Sequence, residues 1–463
     1  MPTLPPGPHE LLPCPAATPA PFYMLPFDAR GLCEAPATRA RLLEDVATGR
    51  YTDIFVFSHG WNNDWPGALD NYRRFIRGFM AMVQRRGLAL PAPFRPLLIG
   101  IHWPSAALTF GDEEGPSMAA APDTPPDAVR DQAVATEADR LRDLAAALSV
   151  QDAARFYALL QQEQITAAEA LELARLAAPL YAASDDELPG DAALTPETVA
   201  AAWAQLAAPA PRPFGSFGAA GGAAGGAAGS VAGGGVAGPG AAAEIGQFLD
   251  PRLIVRGLTV YQMKDRSGVV GAHGVGPLLR ELLAASDARL HGAGHSYGCR
   301  VLLSALCFGD AWPRPLHSLL LMQGALSHLC FAADVTGQER PGGYRRAPDR
   351  VFRPILCTFS QHDAPLHRFF HLILRRDKDL GEMQIAAAGE PPSRFAALGG
   401  YGPRGSGERL ITVLDESAID AGKRYDLSSL TPLIGIDATA TIGGHSKFSN
   451  PSTYWMLYNL VTA

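Results

Sequence analysis

Two apolar runs of strand length, separated by a helical stretch, constrain the fold of this chain more than any other feature. The runs are Asp53–Ser58 and Leu97–Trp103, and both are as rich in apolar residues as fully buried strands are. Between them, over about 65–85, apolar side chains recur at helical spacing. A strand, a helix and a strand in this order predict parallel strands joined by a right-handed crossover. We therefore expect an α/β protein with a mostly parallel central sheet flanked by helices.

The same alternation resumes near residue 250, after a long stretch without an evident strand. Further strands are predicted at about 318–322, 354–360 and 410–414, and a last helix over 450–460. The stretch between contains Ala-rich helical patterns at about 126–148, 149–182 and 196–206. We predict four regions: a Pro-rich N-terminal arm at 1–21, the first part of the α/β core at 22–104, a large helical insertion or cap at 105–250, and the second part of the core at 251–463.

Composition excludes several classes of protein. The chain has 39 Lys and Arg against 46 Asp and Glu, a net charge of −7, and no basic stripe, so nucleic acid is not expected as a partner. None of the six cysteines forms a CxxC pair, which argues against a zinc knuckle and is typical of a reducing compartment. The N-terminus lacks the features of a secretory signal peptide. A cytoplasmic location is predicted, with export by a route that needs no such peptide left open.

An uncharged segment rich in Gly and Ala, at 215–240, allows two interpretations. Gly218, Gly222 and Gly226 recur every fourth residue, a spacing that lets helices pack closely, above all in membranes. The segment is nevertheless poor in Leu, Ile and Phe, so its insertion into a bilayer would be weakly favourable. A linker or a tightly packed helix is favoured. Membrane association through 215–240 stays open but is not favoured.

The sequence Gly294-His295-Ser296-Tyr297-Gly298 lies between a predicted strand and a predicted helix. In that context G-x-S-x-G is the pattern of a sharp turn that lifts a nucleophilic serine out of the sheet. Glycines two residues to either side, Gly294 and Gly298, let neighbouring backbone approach without a Cβ clash. Ser296 is therefore the candidate nucleophile. Cys299 lies on the following helix and is interpreted as a packed thiol.

A second motif, Ser58-His59-Gly60-Trp61, follows the strand at 53–58. A serine that attacks an acyl carbon needs two donors placed for the negative oxygen that forms. We predict that the backbone N–H groups of Trp61 and Tyr297 supply them, with Gly60 permitting the turn. Candidate pocket-lining residues near this edge of the sheet are His59, His102, Trp103 and His295.

These two motifs, in this order, resemble those of the α/β-hydrolase superfamily, in particular its lipase and esterase-like branch. The resemblance covers about 22–104 and 250–460 and leaves out 105–250. It implies a serine hydrolase that cleaves a carboxylic ester, such as a lipid or a small-molecule ester, without a metal or an organic cofactor. It also implies that an acid and then a histidine follow the serine along the chain.

Both partners of the serine are sought after late strands. Asp363 lies four residues after Phe359, near the end of the strand predicted at 354–360, where a carboxylate could reach an imidazole. Asp334 is the second candidate for the acid, and Asp415 and Asp437 are weaker candidates. His445 follows two glycines and is the only histidine after the last predicted strand. The earlier histidines, His362, His367 and His371, are interpreted as surface or partly packed residues.

The expected chemistry is a Ser296–His445–Asp363 triad that works through an acyl-enzyme. A thioesterase, an acyltransferase or a peptidase would use the same residues, so these activities stay open. The alternative from another class is a membrane-associating or interaction protein that uses 215–240, with the hydrolase domain accessory or inactive.

Overall fold

The computed structural model describes residues 4, 6–14, 19–61, 63–105, 148–162, 164–177, 196–197, 263–309, 311–335, 339–363, 365–369, 396–427 and 431–463. The segment 215–240, most of the expected insertion at 105–250 and a short apolar run at 255–260 lie outside these residues.

A nine-stranded sheet, with strand order β1-β2-β4-β3-β5-β6-β7-β9-β8, forms the centre of the structure. All neighbouring strands are parallel except β1 and β2. This confirms the prediction of an α/β fold with a mostly parallel sheet. The strands are β1 (Glu10–Leu12), β2 (Ala20–Pro26), β3 (Asp53–Ser58), β4 (Pro96–His102), β5 (Arg289–His295), β6 (Ser318–Met322), β7 (Ile355–Phe359), β8 (Arg409–Thr412) and β9 (Leu433–Asp437).

Helices cover both faces of this sheet. The α-helices of the described residues include α1 (Pro36–Thr48), α2 (Trp65–Arg85), α3 (Val150–Leu160), α4 (Ala167–Leu176), α5 (Gly276–Ala285), α6 (Tyr297–Cys307), α7 (Leu398–Tyr401), α8 (Glu416–Asp420) and α9 (Pro451–Thr462). None of these described helices has the length and apolar character that crossing a bilayer requires.

Alternating side chains of the strands pack into two separate hydrophobic cores, one on each face of the sheet. On β3, Ile54 and Val56 pack into a core shared with α1, α5 and α6. Phe55 and Phe57 point to the other face, into a core shared with α2 and α9. Parallel strands between two layers of helices are buried on both faces, so they form nearly continuous apolar runs. This makes the runs at 53–58 and 97–103 recognisable in the sequence.

The helix expected over 149–182 is broken into α3 and α4. Ser149 caps α3, since its side chain accepts a hydrogen bond from the Asp152 N–H. Thr166 and Glu169 then form a capping box that starts α4. The Ala-rich periodicity masked this second start. The helices expected at 126–148 and 196–206 lie almost wholly outside the described residues.

Two short strands were not expected. The Pro-rich arm contributes β1 at one sheet edge, and β9 lies between β7 and the predicted strand at 410–414, which is the edge strand β8. Gly435 interrupts the apolar run of β9 and makes it resemble a loop. The structure needs glycine there, because a Cβ atom would lie 2.5 Å from Leu410 Cδ2 and 2.7 Å from Pro403 Cδ.

Candidate active site

Ser296 lies on the sharp turn between β5 and α6. Its backbone has φ 55° and ψ −125°, a left-handed conformation that residues other than glycine rarely adopt. The Ser296 N–H donates to the carbonyl of Met322 at 3.0 Å, which ties the turn to the end of β6. Such strain persists only where the surrounding structure enforces it, and it is common at functional sites.

The two glycines of the motif permit this turn by their size. A Cβ atom on Gly298 would lie 2.1 Å from the carbonyl oxygen of Ser58, at the end of β3. A Cβ atom on Gly294 would lie 2.8 Å from the backbone nitrogen of Cys299. Both obstacles are backbone, so neither could move away cheaply. The spacing of the motif therefore follows from close approach of α6 to the strand ends.

The structure brings Ser296, His445 and Asp363 together at the carboxyl edge of the sheet. His445 Nε2 lies 3.0 Å from Ser296 Oγ, and His445 Nδ1 lies 2.8 Å from Asp363 Oδ2. The carboxylate can only accept, so Nδ1 carries the proton and Nε2 faces the serine as an acceptor. The Asp363 side chain is fully buried, whereas 23% of the His445 side chain is exposed.

Asp363 also caps the turn that follows β7. Its Oδ1 accepts the Leu366 N–H at 3.1 Å, which leaves Oδ2 for His445. The other aspartates considered from the sequence have local partners instead. Asp334 accepts backbone N–H groups of its own loop, Asp415 caps α8, and Asp437 accepts from Thr439.

The loop after β3 lies directly against Ser296. A Cβ atom on Gly60 would be 2.7 Å from Ser296 Cβ, so only glycine fits at this position. Among the described residues, the Trp61 N–H donates to no acceptor. Tyr297 is the first residue of α6, at the helix end that carries a partial positive charge. Both predicted donors thus flank the serine.

His59 holds this loop in place. Its Nε2 accepts the Trp103 N–H at 3.2 Å, its Nδ1 lies 2.9 Å from the Gly60 carbonyl, and its own carbonyl accepts Trp103 Nε1–H at 3.0 Å. Burial is the main cause that lowers the pKa of His59, to about 3, and the nearby His102 contributes a smaller part. His59 is therefore neutral and carries its proton on Nδ1, which donates to Gly60.

The four candidate pocket-lining residues differ in their surroundings. His102 and Trp103 are buried at the end of β4, and burial lowers the pKa of His102 to about 4. His295 stacks on Phe448 with ring centres 3.9 Å apart, and its Nε2 lies 2.9 Å from the His445 carbonyl. A small cavity under the loop is lined by His59 and His295 but not by His102 or Trp103. Its remaining wall is largely apolar and aromatic: Phe57, Ser58, Gly60, Asn71, Tyr72, Phe75, Ala293, Met322 and Phe448.

Gln323 is a site residue that the sequence analysis missed. It follows β6 directly, and its side-chain amide donates to Asp363 Oδ2 at 2.7 Å. The signal that could have found it is positional. It is a polar residue immediately after a buried strand, as Asp363 is a polar residue shortly after β7.

Among the described residues, no three His, Cys, Asp or Glu side chains are grouped so that they could hold a metal ion. Comparison of the chain with protein-family models, with curated proteins and with solved structures finds no match. The fold and the geometry of the site are therefore the observations from which a function can be inferred.

Proposed function

We propose that this protein is a serine hydrolase of the α/β-hydrolase superfamily, similar to its lipases and esterases, that cleaves a carboxylic ester through an acyl-enzyme. The observation that carries the proposal is the hydrogen-bonded series Asp363–His445–Ser296, with the serine on a strained strand-to-helix turn. Nucleophile, base and orienting acid in this geometry form the constellation of nucleophilic acyl transfer.

In the first step Ser296 Oγ attacks the ester carbonyl carbon. His445 Nε2 takes the hydroxyl proton as the Oγ–C bond forms, and the C=O electron pair moves to the oxygen. Asp363, bonded to Nδ1, holds the ring in the tautomer that leaves Nε2 free, and stabilises the imidazolium that results.

The negative oxygen of this intermediate needs donors that are already in place. We assign them to the backbone N–H groups of Trp61 and Tyr297. Gly60 brings the first close to the serine, and the second belongs to the N-terminus of α6, whose dipole favours negative charge. His59 holds the Gly60 carbonyl, which belongs to the same peptide group as the Trp61 N–H, and so keeps that N–H directed at the oxyanion.

The intermediate then collapses, the C–O bond to the alcohol breaks, and His445 Nε2 protonates the leaving oxygen. A water molecule, deprotonated by His445, attacks the acyl carbon of the ester on Ser296. The second tetrahedral intermediate breaks the Oγ–C bond, Ser296 recovers its proton from His445, and the carboxylic acid is released.

Lipid esters and small-molecule esters are both substrates of this class, and thioester cleavage, acyl transfer or peptide cleavage would use the same groups. The alternative, membrane association through 215–240 with an accessory hydrolase domain, concerns a segment outside the described residues. No structural observation favours it.

The proposal is tested by labelling with a fluorophosphonate, which reacts with an activated and accessible serine. We expect the wild type to be labelled and to hydrolyse 4-nitrophenyl esters, and Ser296→Ala to do neither. Ser318→Ala is the matched control, because Ser318 is a buried serine hydrogen-bonded to a histidine at the opposite end of the sheet. A folded wild type that is neither labelled nor active would contradict the proposal.

A further inference from the structure

Gln323 occupies an unfavourable position that its neighbours enforce. It is fully buried directly after β6, and its φ of 48° lies in the left-handed region that favours glycine. Its backbone N–H donates to Thr358 Oγ1 at 3.1 Å, on the neighbouring strand β7. A strained backbone of this kind costs about 1–3 kcal/mol and persists only where other contacts hold it.

The side-chain amide connects two loops at once. Gln323 Nε2 donates to Asp363 Oδ2 at 2.7 Å and to the carbonyl of Gly444 at 3.3 Å. Both neighbours are acceptors, so the NH₂ end must face them, and a flipped amide is excluded. The other end, Oε1, is buried without a hydrogen-bond partner among the described residues. The side chain thus gives up one hydrogen bond in order to make these two.

The two acceptors belong to the acid and to the loop of the base. Asp363 Oδ2 is the same oxygen that lies 2.8 Å from His445 Nδ1, and Gly444 directly precedes His445. At the next carbonyl along that loop, His295 Nε2 lies 2.9 Å from the oxygen of His445. Two successive carbonyls of the base loop are therefore held by side chains from the ends of β5 and β6.

We propose that Gln323 is a positioning residue, which sets the Asp363 carboxylate and the backbone of His445 in register so that the imidazole reaches Ser296. The inference rests on the proposed function for its catalytic consequence. Its structural content is the dependence of the Asp363–His445 hydrogen bond on the Gln323 amide, and that can be measured whether or not the chain cleaves esters.

The chain offers a matched control at the other end of the same strand. Ser318 begins β6 and Gln323 follows its end, five residues later, which is about 16 Å along a strand. Ser318 is also fully buried and also hydrogen-bonded to a side chain of another strand, since its Oγ lies 2.8 Å from His291 Nδ1. Ser318→Ala therefore removes a buried hydrogen bond from β6 without touching the site.

The experiment compares wild type, Gln323→Glu, Gln323→Gly and Ser318→Ala. Glu keeps the size of Gln but has no NH₂ donor. Gly removes the side chain and relieves the left-handed backbone, so this variant keeps the test valid if the first one does not fold. The readouts are the rate constant of fluorophosphonate labelling and the low-field proton resonance of His445 Nδ1–H, assigned by its loss in His445→Ala.

We expect labelling to fall about 10- to 100-fold in both Gln323 variants, by analogy with the loss found when partners that orient metal-binding histidines are removed. The resonance should be lost or broadened in both variants. Ser318→Ala should retain the resonance and label at a rate close to that of the wild type. A general loss of stability would affect Ser318→Ala and the Gln323 variants alike, so this difference would identify a specific role of Gln323.

An unchanged resonance and labelling rate in folded Gln323→Glu, or in Gln323→Gly, would overturn the inference. So would the absence of the resonance from folded wild type, because the Asp363–His445 bond would then not be formed. If the resonance behaves as expected while the wild type is never labelled, the positioning role stands and the proposed hydrolase function fails.

Discussion

The same three residue types meet at both ends of the sheet, and only one of the two clusters has the features of an active site. At the carboxyl edge lie Ser296, His445 and Asp363, with separations of 3.0 and 2.8 Å. At the amino edge Ser318 Oγ lies 2.8 Å from His291 Nδ1, and His291 Nε2 lies 3.0 Å from Asp53 Oδ1. Hydrogen-bond lengths and residue types do not distinguish the two.

Backbone and access do distinguish them. Ser318 lies within a regular strand, and the Asp53, His291 and Ser318 side chains are all buried. Ser296 is also buried, but it lies on a left-handed turn beside a partly exposed histidine. The second cluster also contains Arg289, 2.6 Å from Asp53. A serine, a histidine and an aspartate in series become a candidate for chemistry where the serine backbone is strained and the histidine is partly exposed.

The amino-edge cluster ties together three strands: β3 supplies Asp53, β5 supplies Arg289 and His291, and β6 supplies Ser318. Burial, despite the hydrogen bond to Asp53, lowers the pKa of His291. Burial opposes ionisation of Asp53, but hydrogen bonds from His291 and Thr52 outweigh it and lower the pKa of that carboxyl. The cluster is thus a neutral imidazole that donates to a carboxylate, and its role is structural.

The largest expected difference is in the loss of activity on replacing the aspartate of each cluster, Asp363 or Asp53. Asp363→Asn should reduce ester hydrolysis about 10⁴-fold with the fold retained, because the amide favours the wrong tautomer of His445. Asp53→Asn should leave activity per folded molecule unchanged and lower the free energy of unfolding by about 1–3 kcal/mol, through its weakened buried hydrogen bonds. Rates with 4-nitrophenyl esters and urea titrations measure the two effects. Equal loss of activity in both variants would remove the distinction between the clusters.

A smaller effect is expected from adding one methyl group to β5 or to the first turn of α6. In Gly298→Ala the new Cβ would lie 2.1 Å from the Ser58 carbonyl, so the loop before Trp61 must shift. A displacement of about 1 Å at such a site costs about 100-fold in rate. In Gly292→Ala the nearest atom, at 2.8 Å, is the end of the Leu319 side chain, which can rotate away. Fluorophosphonate labelling should fall about 100-fold in Gly298→Ala and little in Gly292→Ala. The reverse order would mean that the turn at Ser296 tolerates a Cβ atom at position 298.

The smallest effect is a dependence of stability on pH. The unfolded chain protonates histidine near pH 6.5, whereas folded His291 stays neutral because its pKa is lowered. Below that pH the unfolded state binds more protons, so stability falls as the pH falls. His291 contributes up to about 1.4 kcal/mol per pH unit. In urea titrations between pH 7 and pH 5, the free energy of unfolding should fall less steeply with falling pH in His291→Gln than in the wild type. Identical pH dependences would show that His291 is not neutral in the folded protein.

Much of the carboxyl-edge site was predictable because it is encoded locally. Ser296 has a motif with its own glycines, Asp363 follows a strand that is recognisable from its apolar run, and His445 follows two glycines. Parallel strands end at one edge of the sheet, so three residues that follow strand ends are expected to meet.

The amino-edge cluster and Gln323 were not predictable in this way. Asp53 and His291 are 238 residues apart, and their contact depends on the register that pairs Asp53 with Arg289. Neither residue has a local motif. The role of Gln323 depends on a backbone conformation that its sequence context disfavours, and such strain becomes visible only in three dimensions.

The order of the site residues along the chain has a consequence for synthesis on the ribosome. His445 follows Ser296 by 149 residues and comes after all nine strands. A nascent chain that has emerged as far as β9 contains the elbow, Asp363 and Gln323, but no base. On the proposed mechanism, such a chain cannot attack an ester until the segment before α9 has docked, so completion of the sheet precedes the onset of chemistry.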